Sequence, residues 1–213
     1  MEIQIPSWVV DLASYRKWTH SDEFPEAGRI CYLGEVWIDT SMEQLFTHNQ
    51  VKTEFTIVLG SICKQSQMGT YFTDGANLTN QTADLSTIPD GMFVSNESFD
   101  DGSVKLCEGA RDGFVELEGS PEMVLEIVSD SSVRKDKTEL MKRYAEAGIE
   151  EYWLVDARKP PLEFFIYRWD EKKYEETPSK DGFIHSEVFE ESFRLVQGEN
   201  PSGHPRFRLE KSS

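Results

Sequence analysis

The chain has 213 residues, enough for one sizeable domain with a core of its own. Its formal net charge of −17 argues against binding nucleic acid through a broad basic face, but is compatible with a local patch beside a carboxylate site. No apolar run approaches the roughly 18–20 residues that a membrane helix needs, and the first residues lack the pattern of a secretion signal, so we expect a cytoplasmic protein. Cys31, Cys63 and Cys107 form no C-x-x-C pair, which excludes the usual zinc and disulfide frameworks.

The first third of the chain predicts an arm, a strand pair and a long helix. Residues 1–28 carry apolar residues at roughly helical spacing, which is typical of an arm or short helix packed onto a domain. Residues 29–39 predict two strands joined by a turn. Ser41 and Gln44 form the pattern of a capping box, and the helix after them is expected to end near residues 68–69.

Strands dominate the remainder of the chain. The predicted elements are a strand over 88–94, a hairpin over 104–117, a strand over 122–128, a helix from 131 or 132 to 147, a strand over 152–156 and a hairpin over 162–176. This order predicts an α/β or α+β fold with one central mixed sheet. We divide the chain into an N-terminal arm (1–28), one domain (29–197) and a polar C-terminal tail (198–213) that we expect to fray.

A carboxylate, Glu126, lies in the middle of an apolar run that otherwise predicts a buried strand. A carboxylate there loses its hydration and must be compensated by a cation or by hydrogen bonds. Upstream, Asp90 follows Pro89 and comes directly before a second apolar run. Two acids at strand positions, with a lysine-bearing helix after the second, are typical of a metal-dependent phosphodiesterase. The simpler interpretations are a Glu126 that is paired with an arginine or capped by backbone amides, and an Asp90 that only forms a turn.

The runs PEMVLEIVSDSS and RYAEAGIEEYWLVDAR, which start at Pro121 and Arg143, resemble the Uma-type family of restriction-endonuclease-like proteins. That family belongs to the PD-(D/E)xK nuclease superfamily, and the resemblance covers about residues 29–170. Asp90 matches the aspartate of the PD motif, and His48 lies where the family often has a histidine opening its first helix. The resemblance implies an α/β restriction-endonuclease-like core, with a central mixed sheet flanked by helices.

The resemblance also implies a metal site and a substrate. Asp90 would be the first metal ligand, Glu126 the second and the main-chain carbonyl of Ile127 the third. These hard oxygen ligands suit Mg²⁺ or Mn²⁺. Many members of the superfamily place a further acid on the first helix; Glu54 is the candidate, and a solvated helix acid is an equally good interpretation. The implied activity is that of a divalent-metal-dependent endodeoxyribonuclease acting on DNA, and the implied assembly, by analogy, is a homodimer.

The lysine of the superfamily is missing from both of its expected places. The position two residues after Glu126 holds Val128, and the position that the Uma-type family uses in the following helix holds Leu140. Lys137 shares a helical face with Leu140, and Lys135 lies nearer to the strand end, so we expect one of these two to substitute. If neither reaches the acids, the alternative is a nuclease-fold binding module, dimeric and catalytically impaired.

Overall fold

The computed structural model describes residues 3–25, 28–109 and 112–212. Its helices are α1 (Leu12–Thr19), α2 (Val51–Ser66), α3 (Asn96–Asp100) and α4 (Met141–Glu146). The π-helical turns Leu45–Gln50 and Lys135–Leu140 lead directly into α2 and α4. In the described part of the chain, no helix is long and apolar enough to cross a membrane.

The strands of the described residues form three sheets. In chain order they are β1 (Arg29–Leu33), β2 (Val36–Asp39), β3 (Gly69–Thr73), β4 (Asn77–Asn80), β5 (Leu85–Thr87), β6 (Gly91–Ser95), β7 (Val104–Glu108), β8 (Phe114–Gly119), β9 (Met123–Ile127), β10 (Glu151–Asp156), β11 (Glu163–Trp169), β12 (Tyr174–Glu176), β13 (Ser179–Lys180), β14 (Phe183–Ser186), β15 (Glu191–Glu199) and β16 (Pro205–Lys211).

The central sheet has the order β12-β11-β10-β9-β6-β3, with β9 and β10 parallel and the other neighbours antiparallel. A first sheet has the order β2-β1-β5-β4-β8-β7, and a C-terminal sheet has the order β13-β14-β15-β16. The predicted α/β class with a central mixed sheet is confirmed, and two further sheets accompany that sheet.

The two faces of β9 pack against different layers because alternate residues of a strand point in opposite directions. Leu125 and Ile127 join the core that contains Phe55 of α2 and the buried side chains of the C-terminal sheet. Val124 and Val128 join the core that contains Tyr144 of α4 and the first sheet. Residue 126, which lies between Val124 and Val128 in this alternation, therefore faces the layer of α4 and the first sheet.

The described part of the predicted N-terminal arm contains the helix α1. Asp11 caps α1, its side chain accepting a hydrogen bond from the Ser14 amide at 2.8 Å. Tyr15 and Trp18 of that helix pack on Ile30 of β1. The helical spacing within the predicted arm thus corresponds to α1, while the arm and domain boundaries remain predictions.

Two sequence-based expectations are wrong. Ser41 does not open a helix: α2 is reached through the π-helical turn whose preceding residue, Gln44, makes no side-chain capping hydrogen bond. The Ser41 hydroxyl instead lies 2.8 Å from that of Ser131. The segment after residue 197 does not fray, because β16 pairs with β15 over its full length and buries Phe207 and Leu209.

Candidate active site

Asp90 and Glu126 are brought together by the pairing of β6 with β9. Gly91 lies opposite Leu125 in this antiparallel ladder, so the next residues outward, Asp90 and Glu126, face each other across the two strands. Both carboxylates are buried and line one cavity of about 120 Å³. Ile127, whose carbonyl is the third predicted ligand, lines the same cavity.

Asp90 is held from three sides. The Ile127 amide donates a hydrogen bond to Oδ2 at 2.8 Å, and Nε2 of His48 lies 3.3 Å from the same oxygen. Nζ of Lys52 lies 3.8 Å from Oδ1. Burial opposes ionisation, but these contacts outweigh it and lower the pKa of Asp90 below its ordinary value. Asp90 is therefore a carboxylate, not a carboxylic acid, at neutral pH.

Glu126 is held by one strong hydrogen bond. The Tyr144 hydroxyl donates to Oε1 at 2.6 Å, and Nζ of Lys135 lies 3.9 Å from Oε2. Burial raises the pKa of Glu126 well above its ordinary value; Lys135 opposes this effect, whereas the neighbouring Asp136 and Asp90 add to it. The protein alone thus compensates the Glu126 charge incompletely.

The two acids share one pattern. Each has one oxygen fixed by a short hydrogen bond, namely Oδ2 of Asp90 and Oε1 of Glu126. The remaining oxygens are Oδ1 of Asp90 and Oε2 of Glu126. Among the described residues, the nearest cation to each of them is a lysine ammonium, at 3.8 Å and 3.9 Å respectively. These distances are too long for a hydrogen bond, so neither lysine donates one to Oδ1 or Oε2. Hard oxygens on two facing carboxylates beside a small cavity fit Mg²⁺ or Mn²⁺.

Asp136 adds a third buried carboxylate to the cavity wall. It accepts a hydrogen bond from the Ser132 hydroxyl, and its Oδ1 lies 2.9 Å from Nζ of Lys135. Burial raises its pKa despite these two contacts. Asp136 therefore holds the Lys135 ammonium next to the Glu126 carboxylate.

The two candidate lysines have different positions. Nζ of Lys135 lies between Glu126 and Asp136, whereas Nζ of Lys137 lies 2.8 Å from Asp156 and 2.9 Å from Glu163. Lys137 does not line the cavity. Lys137 and Leu140 do not share the predicted α-helical face, because residues 135–140 form a π-helical turn, whose hydrogen bonds join residues five apart.

Glu54 does not lie at this cavity. Its Oε1 accepts a hydrogen bond from the Leu209 amide of β16 at 3.0 Å. The carboxylate therefore joins α2 to the C-terminal sheet, and its position gives no support to the suggested metal contact.

The sequence did not predict that Glu43, His48 and Lys52 form a cluster next to Asp90. Oε1 of Glu43 lies 2.8 Å from Nδ1 of His48 and 2.8 Å from Nζ of Lys52. Burial opposes protonation of His48, but its contacts with Asp90 and Glu43 outweigh burial and raise its pKa. His48 lies in the π-helical turn and Lys52 in the first turn of α2, and their four-residue spacing within one predicted helix was the signal available in the sequence.

A second cluster of metal-ligand side chains lies on the first sheet. Ligand atoms of Cys107, Glu116 and Glu118 lie close enough to one another to hold an ion. The guanidinium of Arg16 already pairs with both glutamates, its Nη2 lying 2.6 Å from Glu118 and its Nε 3.0 Å from Glu116. This cluster is thus neutralised by a side chain of the protein itself.

Comparison with known proteins identifies the family. The model of the Uma2 family, described as "Putative restriction endonuclease", matches residues 12–197. The chain belongs to this family. The predicted resemblance is therefore confirmed, and the family description supports a nuclease-like function. No curated protein matches the chain.

This Uma2 protein is similar in fold to a solved structure of a bacterial protein. It is the crystal structure of "a putative nuclease belonging to DUF820" from Anabaena variabilis ATCC 29413. The two chains are 19% identical, with a TM-score of 0.61, and the match covers 85% of this chain and 91% of the other. At this identity the match establishes the shared fold alone.

Proposed function

We propose that this protein is a cytoplasmic, divalent-metal-dependent endodeoxyribonuclease that hydrolyses phosphodiester bonds at the cavity lined by Asp90 and Glu126. The observation that carries the proposal is the pair of facing buried carboxylates, in which Oδ1 of Asp90 and Oε2 of Glu126 have a lysine ammonium at 3.8 and 3.9 Å as their nearest cation among the described residues. Two buried acids without such an ion repel each other, which is a cost that a structural role alone does not explain.

The residues that would hold Mg²⁺ or Mn²⁺ are Asp90, Glu126 and the carbonyl of Ile127. When bound, the ion would orient water, lower the pKa of that water and neutralise the phosphate. His48 and Lys52 keep Asp90 ionised and oriented. Tyr144 orients Glu126 by its hydrogen bond to Oε1. The protein thus supplies one ionised ligand, Asp90, and one oriented ligand, Glu126, whose ionised form a bound cation would stabilise.

Lys135 is the proposed catalytic cation. Its ammonium lies at the cavity wall, where it can stabilise negative charge that develops on the phosphate in the transition state. Burial disfavours the charged ammonium, but Glu126 and Asp136 outweigh burial and raise its pKa. Lys135 therefore remains charged and acts by electrostatic stabilisation, not as a base.

The test is calorimetric titration with Mn²⁺ on the wild type, Glu126→Ala and Cys107→Ser. We expect the wild type and Cys107→Ser to bind one ion at this site and Glu126→Ala to lose that binding. Cys107→Ser is the matched control because it alters the other cluster of ligand side chains. Cleavage of DNA in Mn²⁺ or Mg²⁺ is then measured on the same three proteins. A wild type that binds no ion contradicts the proposal.

One observation favours the alternative of a binding module without turnover. Lys135 lies closer to Asp136, at 2.9 Å, than to Glu126, at 3.9 Å, so Asp136 already neutralises part of the positive charge of Lys135. Under this alternative the wild type binds Mn²⁺ and DNA but releases no cleaved product in either metal ion.

Cleavage of both strands of a duplex requires two sites, and a homodimer is the assembly that provides them. Light scattering after size-exclusion chromatography measures the assembly directly. A mass of two chains supports the dimer, and a mass of one chain restricts the proposed enzyme to one strand at a time.

A further inference from the structure

The cavity that contains the acids has a second wall, which the proposed metal chemistry does not use. This wall comes from the hairpin of β1 and β2. In the register of that hairpin, Arg29 lies opposite Asp39 and Cys31 lies opposite Trp37. Both pairs point to the same face, because residues two apart along a strand do so. The hairpin therefore presents one guanidinium and one indole to the cavity.

Trp37 has an unused polar group. Its side chain is half-buried, and its Nε1–H is shielded from solvent and has no hydrogen-bond partner among the described residues. Leaving such a donor unpaired is costly, so a ligand with an acceptor atom would be favoured at this position. The guanidinium of Arg134 lies over the Trp37 ring, 5.6 Å from its centre; because the Arg134 side chain is exposed, this contact is weak and can be exchanged for a base. An indole with an adjacent guanidinium is the type of surface on which a nucleobase stacks.

Arg29 provides a positive charge that a phosphate group could contact. Its side chain is 43% exposed, and its guanidinium lies 3.2 Å from Glu43 and 4.0 Å from Asp74. Exposed contacts of this kind are weak and readily exchanged. The step along the strand from the Arg29 pair to the Trp37 pair is two residues, or about 7 Å. This separation is comparable to the distance between the phosphate and the base of one nucleotide.

We propose that the cavity accepts one unpaired nucleotide of a DNA strand, with its base against Trp37 and its phosphate next to Arg29. The proposal rests on the proposed function and specifies its substrate class. A paired base cannot stack on Trp37 without leaving the duplex, which costs a few kcal/mol and costs least where the base is already unpaired. The preferred substrate is therefore single-stranded DNA.

The test is fluorescence anisotropy at low salt in EDTA, where metal-dependent cleavage is absent. The probes are a fluorescein-labelled single-stranded oligodeoxynucleotide and the duplex of the same sequence. We expect the single strand to bind the wild type about tenfold tighter than the duplex. Trp37→Ala should weaken binding of the single strand about tenfold or more, and Trp37→Phe, which keeps an aromatic face, should weaken it less.

Trp8→Ala is the control, because Trp8 is an exposed tryptophan that does not line the cavity; it should bind as the wild type does. Retained Mn²⁺ binding by Trp37→Ala would show that its acid site is intact. The proposal is overturned if duplex and single strand bind equally, if Trp37→Ala has no effect, or if the wild type binds no single strand. A wild type that binds the single strand but no Mn²⁺ would instead overturn the proposed function alone.

Discussion

Tyr144 and Glu126 belong to α4 and β9, and they are joined by a hydrogen bond of 2.6 Å between the hydroxyl and Oε1. Both side chains are buried, so no solvent competes for this bond. Because Oε1 is occupied, Oε2 is the oxygen through which Glu126 can meet a metal ion. The orientation of this ligand thus depends on a side chain eighteen residues later in the chain.

Tyr144→Phe should therefore weaken Mn²⁺ binding. Partners that orient metal ligands typically contribute about 10- to 100-fold in affinity, and we expect a loss in this range. The measurement is calorimetric titration at neutral pH. Tyr152→Phe is the matched control, since this buried hydroxyl donates to the Asp136 main-chain carbonyl at 2.9 Å and not to a proposed ligand. Equal losses of affinity in both variants would assign Tyr144 a purely structural role.

The acids of the candidate site could be found from the sequence because each lies beside an apolar run. A charged residue inside such a run conflicts with burial, and this conflict pointed to Glu126. The surroundings of Asp90 were harder to predict. His48 and Lys52 reach it from a helix far away in the sequence, and no local pattern specifies which strand a helix covers.

The choice of lysine illustrates a second limit of sequence reasoning. The α-helical period made Lys137 a candidate because it predicted a face shared with Leu140, but a π-helical turn changes the angle between successive side chains. The C-terminal sheet was missed for a different reason. Its strands alternate buried apolar with exposed polar residues, as in Phe207 and Leu209, so their average composition is that of a polar tail.

Lys135→Ala and Lys137→Ala should separate the two lysines by activity. Removing a group that stabilises transition-state charge typically costs on the order of 10²-fold in kcat, and we expect this loss for Lys135→Ala. Lys137→Ala should retain nearly full activity, because Lys137 pairs with Asp156 and Glu163. Initial rates of DNA cleavage, together with Mn²⁺ affinity, measure the effect. An unchanged rate in Lys135→Ala would remove Lys135 from the mechanism.

Glu126→Gln should stabilise the metal-free protein at neutral pH. An acid whose folded pKa lies above its unfolded value, near 4.5, binds more protons in the folded state, so stability falls as pH rises between those two values. The glutamine mimics the protonated form and avoids this loss. In EDTA its Tm should exceed that of the wild type by about 2 °C or more at pH 7.5, and by less as pH falls toward 4.5.

Saturating Mn²⁺ should reverse the order of the two Tm values, so that the wild type melts at a higher temperature than Glu126→Gln. An ion that binds only the folded wild type raises its Tm, whereas Glu126→Gln gains little because its amide is a poor ligand. Differential scanning fluorimetry in EDTA and in Mn²⁺ measures both effects on the same samples. A wild type whose Tm exceeds that of the variant in EDTA would show that the ionised Glu126 is already well compensated by Lys135 and Tyr144.

Glu151 should be a strong determinant of stability outside the candidate site. Its buried carboxylate accepts hydrogen bonds from Trp153 Nε1 at 2.8 Å, the Ser186 hydroxyl at 2.7 Å and the Glu187 amide at 2.7 Å. It thereby joins β10 to the C-terminal sheet. Glu151→Ala leaves these donors unpaired, and we expect a loss of at least about 3 kcal/mol in urea unfolding. Glu191→Ala, which removes a solvent-exposed pair with Lys211, should cost under about 1 kcal/mol; similar losses would contradict the assigned role.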